Sequence, residues 1–201
     1  MKRLCRRDAA VIDNLIFRES DHSYRLHGVS LPSVTQIIAD AGLYGNTDYF
    51  TDYSRDRGSF VHKAIEYYLS GELAEETLDP VIVPYFSAWK RFQSEANYIS
   101  NLCEERLASN VYRFAGTIDH IGYMDGHFSI IDVKTGAPAP ATGIQLAGYE
   151  ILLLARGARR FALHLQDNGN YKLIEYKDRN DRNIFLAALA LWIWKQNAGI
   201  K

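Results

Sequence analysis

Two carboxylates and a lysine carry the strongest chemical signal in this sequence: Asp119 and, thirteen residues on, the run Asp132-Val133-Lys134. Side chains alternate along an extended strand, so Asp132 and Lys134 share one face while Ile131 and Val133 take the other. An acid beside a base at a strand end is a plausible catalytic pair. The carboxylate can hold a hard divalent cation, and the ammonium group can orient a water or stabilise developing negative charge. Turn residues between Tyr123 and His127 join the two segments as an antiparallel hairpin, which makes Asp119 and Asp132 neighbours. Two carboxylates converging on one point repel unless a cation sits between them, and that predicts a metal. Taken alone, Asp-x-Lys is most often a surface ion pair of little energetic weight.

Other candidates lie on predicted helices. His62 and Glu66 are four residues apart on one face of a helix expected at 58–70. His62 borders the apolar stripe through Val61 and Ile65, so it is either a half-buried core histidine or a nitrogen ligand to the same metal. A nitrogen donor suits Mn²⁺ better than an all-oxygen shell would, and Mg²⁺ stays open. Gln145 and Tyr149 lie one turn apart on a helix expected at 142–156. They are ordinary surface, or else Tyr149 stacks on a base while Gln145 bonds a phosphate or base edge. Ser33 and Thr35, at a helix start, either cap it or present backbone N–H groups to a phosphate. Arg55, Arg57, Lys63, Arg113 and Thr135 complete the candidate nucleic-acid contacts, and each charged one reads equally as solvated surface.

The elements that must position these groups follow from periodicity and turn signals. A hairpin is expected over 15–27, a helix from Pro32-Ser33 to near Gly42, and helices at 58–70 and 80–97. Residues 45–53 are ambiguous. Strands follow at 99–109, 112–124 and 127–134, where Gly116 lets the backbone bend near a ligand. The helix at 142–156 precedes a hairpin of 160–166 and 171–177, and a helix at 180–197 ends the order. A helix between the third and fourth of these strands permits a crossover, hence a mixed sheet covered by helices. The fold class expected is α/β: one domain over 1–201, with a hairpin and mainly helical part at 1–98 and the catalytic sheet at 99–201.

Bulk properties narrow the class. The chain has 201 residues, 47% of them hydrophobic, with a formal net charge of −1. That supports a packed core and excludes DNA coating by bulk charge, so basic groups must be concentrated locally. Lys2, Arg3, Arg6 and Arg7 read as a solvated arm. Cys5 and Cys103 form no C-x-x-C pair and by themselves supply neither a structural zinc site nor an iron–sulfur cluster. No apolar run reaches membrane-spanning length and no secretory leader is evident, so a cytoplasmic protein is expected. No G-x-x-x-x-G-K-[ST] run occurs, which removes that route to ATP-driven unwinding.

Taken in order, Gly58-Ser59-Phe60-Val61-His62, Gly116-Thr117-Ile118-Asp119, Asp132-Val133-Lys134 and Gln145-x-x-x-Tyr149 resemble the motifs of the PD-(D/E)XK nucleases. The resemblance is to their RecB-type branch, and Leu31-Pro32-Ser33-Val34 looks like the segment that precedes its first motif. Isoleucine stands where the family name has proline. The resemblance spans residues 30–150 and implies a restriction-endonuclease-like mixed sheet flanked by helices. It implies a metal-dependent DNA exonuclease acting on single strands or free ends in phage or bacterial recombination and repair. The alternatives are a structure-specific endonuclease and a catalytically idle nucleic-acid-binding module. The resemblance further makes His62, Asp119, Asp132 and the Val133 carbonyl ligands of one or two Mg²⁺ or Mn²⁺ ions, with Lys134 as the catalytic lysine and no iron–sulfur cluster. Gln145 and Tyr149 would contact DNA, and a single-strand-annealing or other recombination protein would be the partner in a bacterial or phage-infected cell. The family often adds a first-strand glutamate. Spacing to Gly116 favours Glu104, whereas Glu105 shares a face with Cys103 and Leu107.

Overall fold

Runs of β-branched and aromatic residues, punctuated by turn-forming pairs, build the larger of two sheets. Its strands are β4 (Tyr98–Ser109), β5 (Phe114–Met124), β6 (His127–Lys134), β7 (Arg159–Leu165) and β8 (Tyr171–Glu175), in that spatial order. Asp125-Gly126 joins β5 to β6 with φ of 48° and 78°. Positive φ at both central residues matches the twist of the flanking strands, so this turn fixes the register. Between β6 and β7 the chain crosses over through helix α4 (Thr142–Leu152), and these two strands are the parallel pair of an otherwise antiparallel sheet. The expected mixed α/β architecture is the one observed. The computed structural model describes residues 14–45 and 51–200, so the Lys2, Arg3, Arg6 and Arg7 cluster and Cys5 lie outside the described residues.

A smaller antiparallel sheet comprises β1 (Leu15–Arg18), β2 (Ser23–Leu26) and β3 (Val29–Leu31). The first two strands are the predicted hairpin. The third was not expected, because three residues are too few to show alternation; His27-Gly28, at φ 49° and 81°, supplies the turn into it.

Alternation along β6 sorts the core. Ile131 and Val133 pack with Val61 and Ile65 of helix α2 (Asp52–Ser70) and with Phe86, Trp89 and Phe92 of α3 (Val83–Glu95). Ile130 packs on the other face, with Val34 and Ile37 of α1 (Val34–Asp40), Leu146 of α4 and Phe185 of α5 (Asn180–Ala198). Buried apolar side chains on both faces of a sheet supply most of its stability.

Helix α2 begins six residues before the expected 58, because Thr51 caps it by accepting the Ser54 N–H at 3.2 Å. The first turns stand largely in solvent, where apolar periodicity carries no signal. Gly116 also serves another purpose than the one expected. A Cβ there would lie 3.2 Å from Val34, Tyr149 and Leu152, so glycine lets α1 and α4 close onto β5.

Candidate metal centre and cleft

The β5–β6 ladder runs from Met124↔His127 to His120↔Ile131. Its next rung would set Asp119 opposite Asp132. There the Asp119 side chain replaces a backbone partner: its Oδ2 accepts the Val133 N–H at 2.7 Å. The hairpin therefore makes the two aspartates neighbours, as the turn spacing implies. Buried like charges separate where each finds its own donor. Asp132 turns instead to Lys134 Nζ, 2.7 Å from its Oδ2, and to Gln145 Nε2, which donates to its Oδ1 at 2.9 Å.

Helix α2 delivers His62 to the same place. Its Nδ1 lies 3.1 Å from Glu104 Oε1 and 3.8 Å from Asp119 Oδ2, and its Nε2 lies 3.2 Å from the Val133 carbonyl. Among the described residues, His62, Glu104 and Asp119 form a group whose ligand atoms all lie within 4.8 Å of one another. This group shares His62 and Asp119 with the ligand set expected from the sequence and differs from it at two positions. Asp132 stands outside this group, held by Lys134 and Gln145, and Glu104 stands inside it.

Of the two adjacent glutamates, Glu104 is the one placed beside His62. It has φ of +51° in the middle of β4, opposite the Asp119 stretch. A non-glycine residue in that region is uncommon and costs on the order of 1–3 kcal/mol. The fold retains a strained carboxylate where it meets His62 and Asp119. Strain of this kind concentrates at functional positions.

The electrostatics fit a divalent cation. Burial opposes the charge on His62, but the Asp119 and Glu104 carboxylates prevail and push its pKa up to about 9. Burial raises the Asp119 and Asp132 carboxyls despite the opposing charges of His62 and Lys134. Burial also opposes the charge of Lys134, yet Asp132 and Asp119 hold its pKa above the usual lysine value. Three carboxylates thus face two cationic side chains, and a divalent ion in place of the His62 proton would neutralise the five groups. One nitrogen and two or more carboxylate oxygens suit Mn²⁺ or Mg²⁺.

Gln145 and Tyr149 do not form an exposed pair. Gln145 is 5% and Tyr149 4% exposed. Gln145 Nε2 bridges Asp132 Oδ1 and Tyr149 Oη, both at 2.9 Å, so the pair orients Asp132 while bordering the cleft. Ten of the eleven residues of α4 are buried, which leaves its polar pair no solvent face. Ser33 caps α1, accepting the Gln36 N–H at 3.0 Å in a capping box, and Thr35 lies 3.0 Å from the Ser33 hydroxyl. Ser33 therefore has the capping role, and both residues also line the cleft. Arg113 is exposed in the β4–β5 turn and does not line the cleft. Thr135 does line it, and its carbonyl accepts from Arg57 Nη2 at 3.0 Å.

The cleft measures about 1230 Å³ and is lined by His62, Glu104, Lys134, Thr135, Gln145 and Tyr149 among others. Two further residues, one lining the cleft and one on the strand beside it, escaped sequence reasoning. Tyr44, whose hydroxyl burial pushes up to about 12, lines the cleft beside an ambiguous stretch. His164 pairs with Lys134 in the parallel ladder, and its Nδ1 lies 3.0 Å from the Gly136 carbonyl. Only the crossover reveals that neighbourhood. No described helix is long and apolar enough to cross a membrane.

No family model matches the chain, and no curated protein matches it in sequence. Among solved structures it is similar to a candidate exonuclease from Eubacterium rectale, with a TM-score of 0.57 and 13% identity over 85% of this chain and 83% of that one. A second match, SSO0001, has a TM-score of 0.36 and 13% identity, over 81% and 87% of the two chains. The first of these likenesses shows a shared fold extending over most of both chains.

Proposed function

We propose that this chain is a divalent-metal-dependent nuclease of the PD-(D/E)XK type that hydrolyses DNA phosphodiester bonds, as an exonuclease on single strands or free ends. One observation carries the reading. His62, Glu104 and Asp119 converge within 4.8 Å, and the Asp132–Lys134 pair stands beside them at a strand end opening into the cleft. The fold shared with a candidate exonuclease supports it.

His62, Glu104 and Asp119 would hold the ion, with Asp132 and the Val133 carbonyl at its margin. Bound there, Mg²⁺ or Mn²⁺ supplies charge neutralisation at the phosphate and a lowered pKa for water. Lys134 keeps its proton at neutral pH because Asp132 and Asp119 favour the charged form. It therefore donates to the phosphate or to the attacking water and stabilises charge developing in line, instead of accepting a proton. Gln145 and Tyr149 fix the Asp132 carboxylate, which in turn fixes Lys134. Thr135, on the same strand end, contacts the strand being cut.

The test compares linear single-stranded, linear duplex and circular single-stranded DNA, each with Mg²⁺, Mn²⁺ or a chelator. Linear strands are degraded with metal only, and Asp132→Ala and Lys134→Ala are inactive. Full activity of both variants would remove the site assignment. Digestion of closed circles would replace the exonuclease with an endonuclease. DNA binding without cleavage by the unaltered protein would leave a binding module.

A further inference from the structure

Helix α2 carries three exposed aromatic side chains at intervals of seven: Tyr53, 63% exposed, Phe60, 64%, and Tyr67, 41%. Seven residues are nearly two turns, so the rings lie along one stripe about 10.5 Å apart with a drift of only about 20° per step. Large exposed rings in a row are a contact surface, because scattered exposure needs no such periodicity.

Two observations say what the stripe contacts. First, its middle ring borders the cleft. Phe60 and Lys63 line the cleft together with His62, which the same helix sends to the metal centre. Second, cations are interleaved with the rings. The Arg57 guanidinium lies 6.0 Å from the Tyr53 ring centre, and Lys63 Nζ, also paired with Glu66, lies 5.1 Å from that of Tyr67. The apolar face of α5, exposing Leu191, Ile193 and Trp194, lines no part of the cleft.

From these observations we infer that the outer stripe of α2 is a stacking track for an unpaired nucleic-acid strand entering the cleft, with Phe60 as the ring nearest the reacting phosphate. Stacking demands a free base face. Bases inside a duplex have both faces covered by their neighbours, whereas an unpaired strand offers one at every nucleotide. Lys63 then meets a phosphate between stacked bases. The inference rests on the nuclease reading for what happens in the cleft but not for what binds along the helix.

Its test is a binding measurement in chelator, where nothing is cut. Fluorescence anisotropy is read for a labelled single strand and for the duplex of the same sequence, on the unaltered chain, Phe60→Ala, Tyr67→Ala and Phe60→Trp. Phe60→Ala is expected to weaken single-strand binding about tenfold and leave duplex binding unchanged, while Phe60→Trp retains it. A strand carrying 2-aminopurine is quenched on binding to the unaltered chain and not by Phe60→Ala. Both rings are exposed, so an unchanged melting temperature checks that the fold is intact. Unchanged single-strand affinity in both alanine variants, or an equal loss on strand and duplex, overturns the inference. A dimer of the unaltered chain that Phe60→Ala dissociates, with strand binding intact, overturns it in favour of a second copy. Cleavage with Mn²⁺ is read separately. A chain that binds strands through Phe60 yet cuts none keeps this inference and loses the nuclease; one that cuts them with Phe60 irrelevant does the reverse.

Discussion

Two buried ionic clusters flank the same sheet and are built on opposite plans. In one, Arg160 of β7 sits at the centre, donating to the Gly143 and Asp178 carbonyls, 3.2 Å from Asp181 and 3.9 Å from Glu150. In the other, two acids, Glu104 and Asp119, converge on the His62 ring, and Lys134 stands at the edge with Asp132. The first plan needs nothing from outside, because the chain supplies its own central cation and fastens α4 and α5 to the sheet. The second has carboxylates turned toward one another beside a cleft, an arrangement that a divalent ion completes. What separates a structural ion network from a candidate metal centre here is whether the central positive charge is a fixed guanidinium or an imidazole proton that a divalent ion can replace.

Substitutions in each cluster should break the comparison in different ways. Asp119→Asn removes a carboxylate charge while its amide oxygen can still accept the Val133 N–H, so the proposed nuclease activity is expected to fall about a thousandfold, roughly 4 kcal/mol of barrier. Metal titration calorimetry should show the loss of binding, while the thermal midpoint changes far less than activity. Arg160→Met should do the opposite. It strands two acids against the sheet and costs about 3 kcal/mol of folding stability, read by urea denaturation, with metal binding intact in the folded fraction. An Arg160→Met protein as stable as its parent would show that the acids need no central cation.

A third buried group tests burial without any ionic partner. His120, next to Asp119, is 1% exposed and stacks on Trp89 at 4.4 Å. Burial, aided by the charge on His62, lowers its pKa to about 3. The unfolded chain binds this proton below about pH 6.5. The folded chain does so only near pH 3, so stability is complete above 6.5 and falls as the pH drops between the two values. The expected loss is roughly 2 kcal/mol at pH 5. His120→Phe keeps the stack and should flatten that part of the stability–pH curve. An unaltered slope would assign it to a group other than His120, and not to Asp119 or Asp132, whose raised carboxyls stabilise the fold as the pH falls.

How much of this was legible beforehand depends on which interactions are local. The turn at Asp125-Gly126 is local, so the meeting of Asp119 and Asp132 could be read from spacing, and the helix between β6 and β7 implied the parallel crossover. Glu104 could not be chosen over Glu105, because strand alternation treats the two as mirror images and the positive φ that turns one toward the cleft leaves no mark on composition. Gln145 and Tyr149 have the spacing of a surface pair, and only the burial of nearly all of α4 turns them inward. The α2 stripe was not read from the sequence, since Tyr53 falls in the ambiguous stretch and the meaning of the rings comes from the cleft that Phe60 borders.

The backbone of Glu104 has a further consequence for anyone who tries to toughen this protein. At φ +51° a glycine or asparagine is more comfortable than a glutamate, so Glu104→Gly should raise folding stability by about 1 kcal/mol while weakening metal binding. Calorimetry and thermal melting on the same sample would check both halves, and a variant that melts no higher than the parent would show no strain to release. A screen that scored only heat resistance would then select against the proposed metal centre. Its first hit would be a sturdier chain with a blunted centre.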